Sequence, residues 1–269
     1  MSAPRVSPQR MLVTGCASGI GRDLAGMLLE AGHQVLATDL DDDGLREAAA
    51  SWPESRARVR RLDVTDPGQW REAVAEAHDA FGGLDVLVNV AGALVPGWSH
   101  ELSDAAVDLQ IDVNLKGVVH GTRAVTAGMM AQGRGHVINV ASLAALAPVP
   151  GLALYCATKY AVRGYSLSVA LELREHGIAV TVVCPDAVQT PMLDVQRDVE
   201  AAAMTFSGPR VLSAHEVSEA IVRALLDRPL EVLLPPSRGW LAKAANLAPA
   251  SGRVLGPLLR WQGRRRQRR

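Results

Sequence analysis

Seven short runs of β-forming residues recur along the chain, and each of the first six is followed by a longer stretch with helical periodicity. The runs fall at 11–14, 34–38, 59–62, 86–90, 136–140, 179–184 and 231–234. The helical patterns fall at 19–31, 42–51, 67–81, 103–132, 154–176 and 214–226. Most of the runs are nearly continuous in apolar residues, which marks strands buried on both faces, as in parallel sheets covered by helices. With right-handed crossovers, this alternation predicts a doubly wound α/β fold of about seven parallel strands. The 269 residues suit one such domain, with no repeat or low-complexity linker before residue 235. Residues 1–236 therefore read as the domain, and 237–269 as an extension.

The first strand run ends in Thr14-Gly15-Cys16-Ala17-Ser18-Gly19-Ile20-Gly21, where a helix begins. Glycines let backbone turn tightly and approach a ligand closely. The free N–H groups and positive dipole end of the helix then suit a pyrophosphate. The spacing is G-x-x-x-G-x-G rather than G-x-G-x-x-G, and taken alone it also fits an ordinary turn. Its place after the first strand points to a dinucleotide. Asp39 ends the second strand run about 20 residues on, where a carboxylate accepts from the adenosine ribose hydroxyls and repels a 2′-phosphate. No Arg or Lys lies in 16–18 or immediately after Asp39, so NAD is expected over NADP. Because Asp41, Asp42 and Asp43 follow, a merely solvated carboxylate is the duller reading of Asp39.

Tyr155 and Lys159 stand four apart near the start of a predicted helix, on one face. A free tyrosine titrates near pH 10, and a neighbouring ammonium favours the phenolate, which makes the pair competent for acid/base work. Ser142 follows a strand at the carboxyl edge, where its hydroxyl can hold a substrate oxygen. Asn114, in an apolar helical stretch, is placed to bind a water or a backbone carbonyl behind Lys159. Each alone has a structural reading: a helix surface pair, a turn serine, an asparagine in a kinked helix. In this order behind the glycine turn and Asp39, they read together as an active site.

With these residues in place, the chain resembles the short-chain dehydrogenase/reductases, single-domain enzymes with a Rossmann-type fold. The likeness runs from about residue 8 to 235. It rests on the turn at 14–21, Asp39, Asp63-Val64, Asn89-Val90-Ala91-Gly92, Asn114, Ser142, Tyr155, Lys159 and the stretch from Pro185 to Thr190. The resemblance implies an NAD-dependent oxidoreductase that moves hydride between a secondary alcohol or ketone and the nicotinamide, with Tyr155 exchanging the proton. It implies that Lys159 lowers the phenol and holds the nicotinamide ribose, that Ser142 steadies the reacting oxygen, and that Asn114 anchors a relay water. Thr14, Gly15, Ser18, Gly19, Ile20 and Gly21 would line the cofactor with Asp63, Val64, Asn89, Ala91, Gly92, Pro185, Val188 and Thr190. It also implies a homotetramer or homodimer built on the helices carrying Asn114 and Tyr155. Two positions depart from the family pattern. Val90 stands where Asn is usual, and Asp186 follows Pro185 where Gly is usual, there either as a turn residue or as a substrate contact.

The remaining expectations concern substrate, location and the extension. Leu143, Leu146, Val149, Leu152, Met192, Leu193, Met204 and Phe206 predict an apolar pocket for an alicyclic, terpenoid or steroid-like skeleton. The three cysteines lack C-x-x-C spacing, and no metal site is expected. The start of the chain lacks the apolar core of a signal peptide, and no run of about eighteen apolar residues occurs, so a cytoplasmic protein is expected. The net charge is zero, yet 237–269 holds nine basic residues and no acidic one, leaving 19 basic against 28 acidic elsewhere, a net of −9. The acidic body opposes nucleic-acid binding. The basic, apolar extension, with breaks predicted at Pro249 and Gly256-Pro257, fits either peripheral contact with a membrane or a solvated end. An NADP-linked carbonyl reductase and a non-catalytic NAD-binding scaffold are the alternative functions.

Overall fold

A computed structural model describes residues 8–248 and 250–267. Seven strands form one parallel sheet in the order β3-β2-β1-β4-β5-β6-β7. They are β1 (Arg10–Thr14), β2 (Gln34–Asp39), β3 (Ala57–Arg61), β4 (Val86–Asn89), β5 (Gly135–Val140), β6 (Ile178–Pro185) and β7 (Glu231–Leu234). The helices between them are α1 (Gly19–Glu30), α2 (Asp42–Ala49), α3 (Pro67–Phe81), α4 (Asp104–Ile111), α5 (Gly117–Gln132), α6 (Ala153–Leu173), a single turn α7 (Pro191–Asp194) and α8 (Ala214–Asp227). Then α9 (Pro236–Leu247) and α10 (Ser251–Gln267) close the chain. The doubly wound sheet expected from the alternation is present.

Side chains alternate across each strand, so neighbouring residues feed opposite layers. Met11, Val13, Val35, Val88 and Val183 pack on one face with Leu24, Leu28 and Ile221 of α1 and α8. Leu12, Leu36, Leu87, Val137 and Val180 pack on the other with Trp70, Val125 and Val169 of α3, α5 and α6. The strand order reverses between β1 and β4, which opens a crevice at the carboxyl ends of these two strands, the usual ligand site of such sheets.

Three expectations change. The run at 59–62 is instead β3 at 57–61, an edge strand with mostly exposed side chains, whose arginines blunt the open edge. The helix expected over 103–132 divides into α4 and α5 around a π-helical turn at Asp112–Lys116 that carries Asn114. The Gly256-Pro257 pair does not stop the extension: both residues lie inside α10. That helix is held from outside, because it packs along the 3-10 segment Glu200–Ser207. Gly263 allows the seat, since a Cβ there would lie 1.9 Å from the Ala203 carbonyl oxygen. Pro249, Arg268, Arg269 and residues 1–7 lie outside the described residues. Among those described, no helix is long and apolar enough to cross a membrane, no cluster of His, Cys, Asp and Glu is arranged to hold a metal, and all three cysteines are buried and free.

Candidate active site

The turn after β1, where the sequence predicts a cofactor, is made of backbone. Gly15 takes φ +76°, and a Cβ on it would meet the Ala91 nitrogen at 3.0 Å. Gly21 lies tighter still: its Cβ would fall 2.0 Å from the Gly15 carbonyl oxygen. The Thr14 hydroxyl accepts from the N–H groups of Val90 and Ala91, both at 3.0 Å, and ties the turn to the end of β4. Helix α1 then opens on Ser18 with no side-chain cap and no acidic residue in its first turn. By contrast α2, α3, α4 and α8 are capped by Asp41, Asp66, Ser103 and Ser213. An uncapped N-terminus beside a turn that excludes Cβ atoms fits a pyrophosphate. Ile20 packs into the core below.

The carboxylate of Asp39 leans over this turn. Its Oδ2 accepts from the Ala17 N–H at 2.9 Å and its Oδ1 from the Asp41 N–H at 3.0 Å. Asp63, expected to line the cofactor, accepts from the Thr65 N–H and hydroxyl through Oδ1. Val64 packs on Gly117 and receives the indole N–H of Trp70 on its carbonyl. Asn89 turns its amide into the sheet, donating to Asn139 Oδ1 at 2.9 Å, so only its backbone is left to face a ligand.

The residues expected to react, Asn114, Ser142, Tyr155 and Lys159, come from three segments. Gly92 lies among them: a Cβ there would stand 3.2 Å from Asn114 Oδ1, 3.5 Å from Met192 Cε and 3.7 Å from Lys159 Nζ. The Asn114 amide is fully buried. It accepts from the Ala93 N–H at 2.7 Å and donates to the Ala93 carbonyl at 2.8 Å and the Thr158 hydroxyl at 3.2 Å. The π turn aims this side chain, a common use of such turns. Lys159 donates to the Val140 carbonyl at 3.0 Å, with its nitrogen 5.5 Å from the Tyr155 ring centre. Ser142 starts a 3-10 turn directly after β5, its hydroxyl accepting from the Ala144 N–H. Pro185 ends β6, Val188 bridges to Leu212, and Thr190 lies over the glycine turn, its Cγ2 2.9 Å from where a Gly19 Cβ would be.

Electrostatically, burial pushes the Tyr155 phenol above its ordinary value, opposed by a hydrogen bond with Ser142. The same burial pulls the Lys159 ammonium down to about 8. The sequence suggests a phenol made acidic by its neighbour. Among the protein's own groups, desolvation is the largest influence on both and disfavours both charges.

Residues 9–201 match the short chain dehydrogenase family. The chain belongs to that family. The 3-alpha-(or 20-beta)-hydroxysteroid dehydrogenase of Mycobacterium tuberculosis (strain ATCC 25618 / H37Rv) is 41% identical over 217 residues, 80% of this chain and 82% of that protein. The 2,5-dichloro-2,5-cyclohexadiene-1,4-diol dehydrogenase LinX of Sphingobium indicum is 36% identical over 192 residues, 71% and 77% of the two chains. A short-chain dehydrogenase/reductase from Burkholderia phymatum in complex with NAD superposes with a TM-score of 0.78 at 26% identity, over 88% of this chain and 92% of that one. ElxO with NADP bound superposes at 0.75 and 25% identity, over 84% and 96%. Solved neighbours of this short-chain dehydrogenase thus bind either nicotinamide cofactor.

Several contributors to the site were not legible in the sequence of this family member. Thr158 links the Asn114 amide to the backbone of Tyr155, donating to its carbonyl at 2.8 Å. Asn139 donates to Ser166 and so connects Asn89 to α6. Both are ordinary polar residues in strand or helix runs, with no local signal. The apolar wall around Tyr155 is formed by Ala144, Leu152, Cys156 and Ala202, with Leu94, Val149 and Met192 against them. Leu143 and Leu146, expected in the pocket, instead pack behind it with Val162 and Cys184. Asp186 is partly buried, its side chain 11% exposed, and paired with Arg238 of α9. Where the family usually has glycine, this chain has a carboxylate that anchors its own extension.

Proposed function

We propose that this chain is an NAD-dependent short-chain alcohol dehydrogenase and ketone reductase acting on a lipophilic secondary alcohol or ketone. The observation that carries the reading is the convergence of Tyr155, Lys159, Asn114 and Gly92 at the crevice between β1 and β4, under an apolar wall. When bound, a nicotinamide supplies the hydride acceptor for oxidation or the donor for reduction. The protein's share is protons and placement. Ser142 and Tyr155 hold the substrate oxygen; Tyr155 takes its proton on oxidation and returns it on reduction. Lys159, when protonated, stabilises the phenolate. Asn114 holds the Ala93 backbone, so the floor at Gly92 stays under the amine.

NAD is favoured by the Asp39 carboxylate, fixed over the turn where it accepts from ribose hydroxyls and repels a 2′-phosphate. An alicyclic or steroid-like skeleton is favoured by the apolar wall, and by relatives whose names specify a hydroxysteroid and a chlorinated cyclohexadienediol. In this reading 1–236 is the catalytic domain and 237–269 an appended segment. The protein is a cytoplasmic homotetramer or homodimer joined through α5 and α6, the latter exposing Leu171.

The test is NADH absorbance during oxidation of a panel of steroid, terpenoid and small polar alcohols, with NAD and NADP compared. We expect turnover of lipophilic alcohols with NAD. In Tyr155→Phe we expect a loss of about a thousandfold or more in kcat, with NADH binding retained. Undiminished turnover in that variant overturns the reading.

A further inference from the structure

Helix α10 has two opposite faces. Gly256, Arg260, Gly263 and Gln267 form a seam toward the body. Gly256 and Gly263 are buried, the Arg260 guanidinium stacks 4.8 Å over the Trp98 ring, and the Gln267 amide donates to the carbonyls of Gln196 and Val199. Val254, Leu258, Trp261 and Arg265 form the other seam. The two seams are offset by two residues, roughly 200° around a helix. The outer one is open: Val254 is 78% exposed, and Leu258 and Trp261 51% each. Leu255 (48%) widens it, and Trp240, Leu241 and Leu247 of α9 are also exposed.

We propose that this outer face docks on an anionic lipid surface. The charge supports it. Arg253 and Arg265 are exposed on this face, Arg264 pairs with Glu200 at 2.6 Å, and no acidic residue occurs anywhere in 237–269. The net −9 of the remaining chain is repelled by the same lipids, which favours approach by this face. An apolar stripe with tryptophan, flanked by arginines whose stems can snorkel, is the composition of a helix lying in a membrane interface. A second copy of the chain is the poorer fit. The four exposed apolar side chains of α10 offer on the order of 400 Å², about half of what each partner buries in a stable interface.

The position gives the contact a consequence. The inner seam of α10 rests on Glu200–Ser207, and the Arg266 guanidinium donates to the Ser207 carbonyl at 2.9 Å. A groove of about 410 Å³ lies between α10 and Pro150. A second, of about 390 Å³, shares Pro150 and reaches Cys156, the neighbour of Tyr155. Docking by α10 would set these grooves at the lipid surface, where a lipophilic substrate is concentrated. This last step rests on the function proposed above; the docking does not.

Co-sedimentation of the full chain tests the docking without cofactor or turnover. The vesicles are phosphatidylcholine alone, or phosphatidylcholine with about a third phosphatidylglycerol. We expect binding to the anionic vesicles at least about tenfold tighter than to the neutral ones, weakening as salt rises. Leu258→Ser/Trp261→Ser, which leaves the inner seam intact, is expected to lose about tenfold or more at unchanged thermal stability. Arg253→Gln and Arg265→Gln are each expected to weaken binding about fivefold. A full chain that stays in the supernatant with both vesicles overturns the proposal. So does equal sedimentation of the Leu258→Ser/Trp261→Ser variant, or a dimer in solution that this variant dissociates.

Discussion

The two ends of the sheet are held by different means. The β1–β4 end is set by what is missing: Gly15 and Gly21 let backbone touch backbone, Gly19 makes room for the Thr190 side chain, and the helix N-terminus is left bare. The β5–β7 end is set by side chains reaching across long sequence distances. His136 meets Thr181, Arg163 and Lys243 converge on Glu231, Asp186 holds Arg238, and Arg266 holds the carbonyls of Ser207 and Gly208. The first end should therefore fail through sterics at any pH. The second should fail through charge, and so should depend on pH.

The largest effect expected is at the glycine end. In Gly21→Ala the new Cβ would lie 2.0 Å from the Gly15 carbonyl oxygen, a backbone atom with no room to retreat. Either α1 shifts or the turn opens, and both destroy the bare N-terminus. NADH titration by fluorescence should show affinity down by about 100-fold or more, roughly 3 kcal/mol, with little change between pH 6 and 8. An affinity within threefold of the parent would mean that the turn is not the cofactor's seat.

This contrast also explains what could be read from the sequence. A glycine turn can be met only by glycine, so it leaves a mark at fixed spacing after the first strand. The Tyr155 and Lys159 pair is similarly local, because one turn of one helix sets its geometry. The seat of α10 has no such mark. Gly263, Arg266 and Gln267 look like any basic tail until the segment at 196–208 comes beneath them. The π turn at Asn114 is equally hidden, since it exists to bring one amide to Ala93, 21 residues earlier. Asp186 was visible as an odd residue, but its partner Arg238 lies 52 positions on, in the extension.

A second, smaller effect tests the side-chain end. His136 is buried in β5, and its tautomer follows from its neighbour. The Thr181 hydroxyl spends its proton on the Pro229 carbonyl, so its oxygen accepts from His136 Nε2–H, and Nδ1 has no partner among the described residues. Burial, with a smaller contribution from Arg228, lowers this imidazole from 6.5 to about 4. The fold thus favours the neutral ring. As pH falls below 6.5 the unfolded chain takes a proton that the folded chain refuses, and stability drops until the folded form also titrates near 4. Guanidinium unfolding should lose about 2 kcal/mol between pH 6.5 and 5 from this group, and His136→Gln should remove that slope. An unchanged slope in the variant would place the acid sensitivity elsewhere.

The smallest effect concerns the latch between Asp186 and Arg238, and there the asymmetry is the informative part. The Asp186 side chain is 11% exposed and the Arg238 side chain 28%. Burial already raises the Asp186 carboxyl above its ordinary value, against the pull of Arg238. Removing the arginine strands a buried carboxylate, which must then pay desolvation alone or bind a proton. Removing the aspartate leaves a guanidinium on a longer stem that can turn to water. Arg238→Met should therefore cost about 1 to 2 kcal/mol, a fall in Tm of roughly 2 to 6 °C, and cost more at pH 8 than at pH 5. Asp186→Gly, which places the family's usual residue there, should cost less than half as much, with no such pH dependence. The double variant should lie nearer to Asp186→Gly than to Arg238→Met, because with no carboxylate to strand, losing the arginine removes little more than packing. Equal costs for the two single variants would show that the pair is not held as a buried latch, and the difference between the two ends of the sheet would then narrow to packing alone.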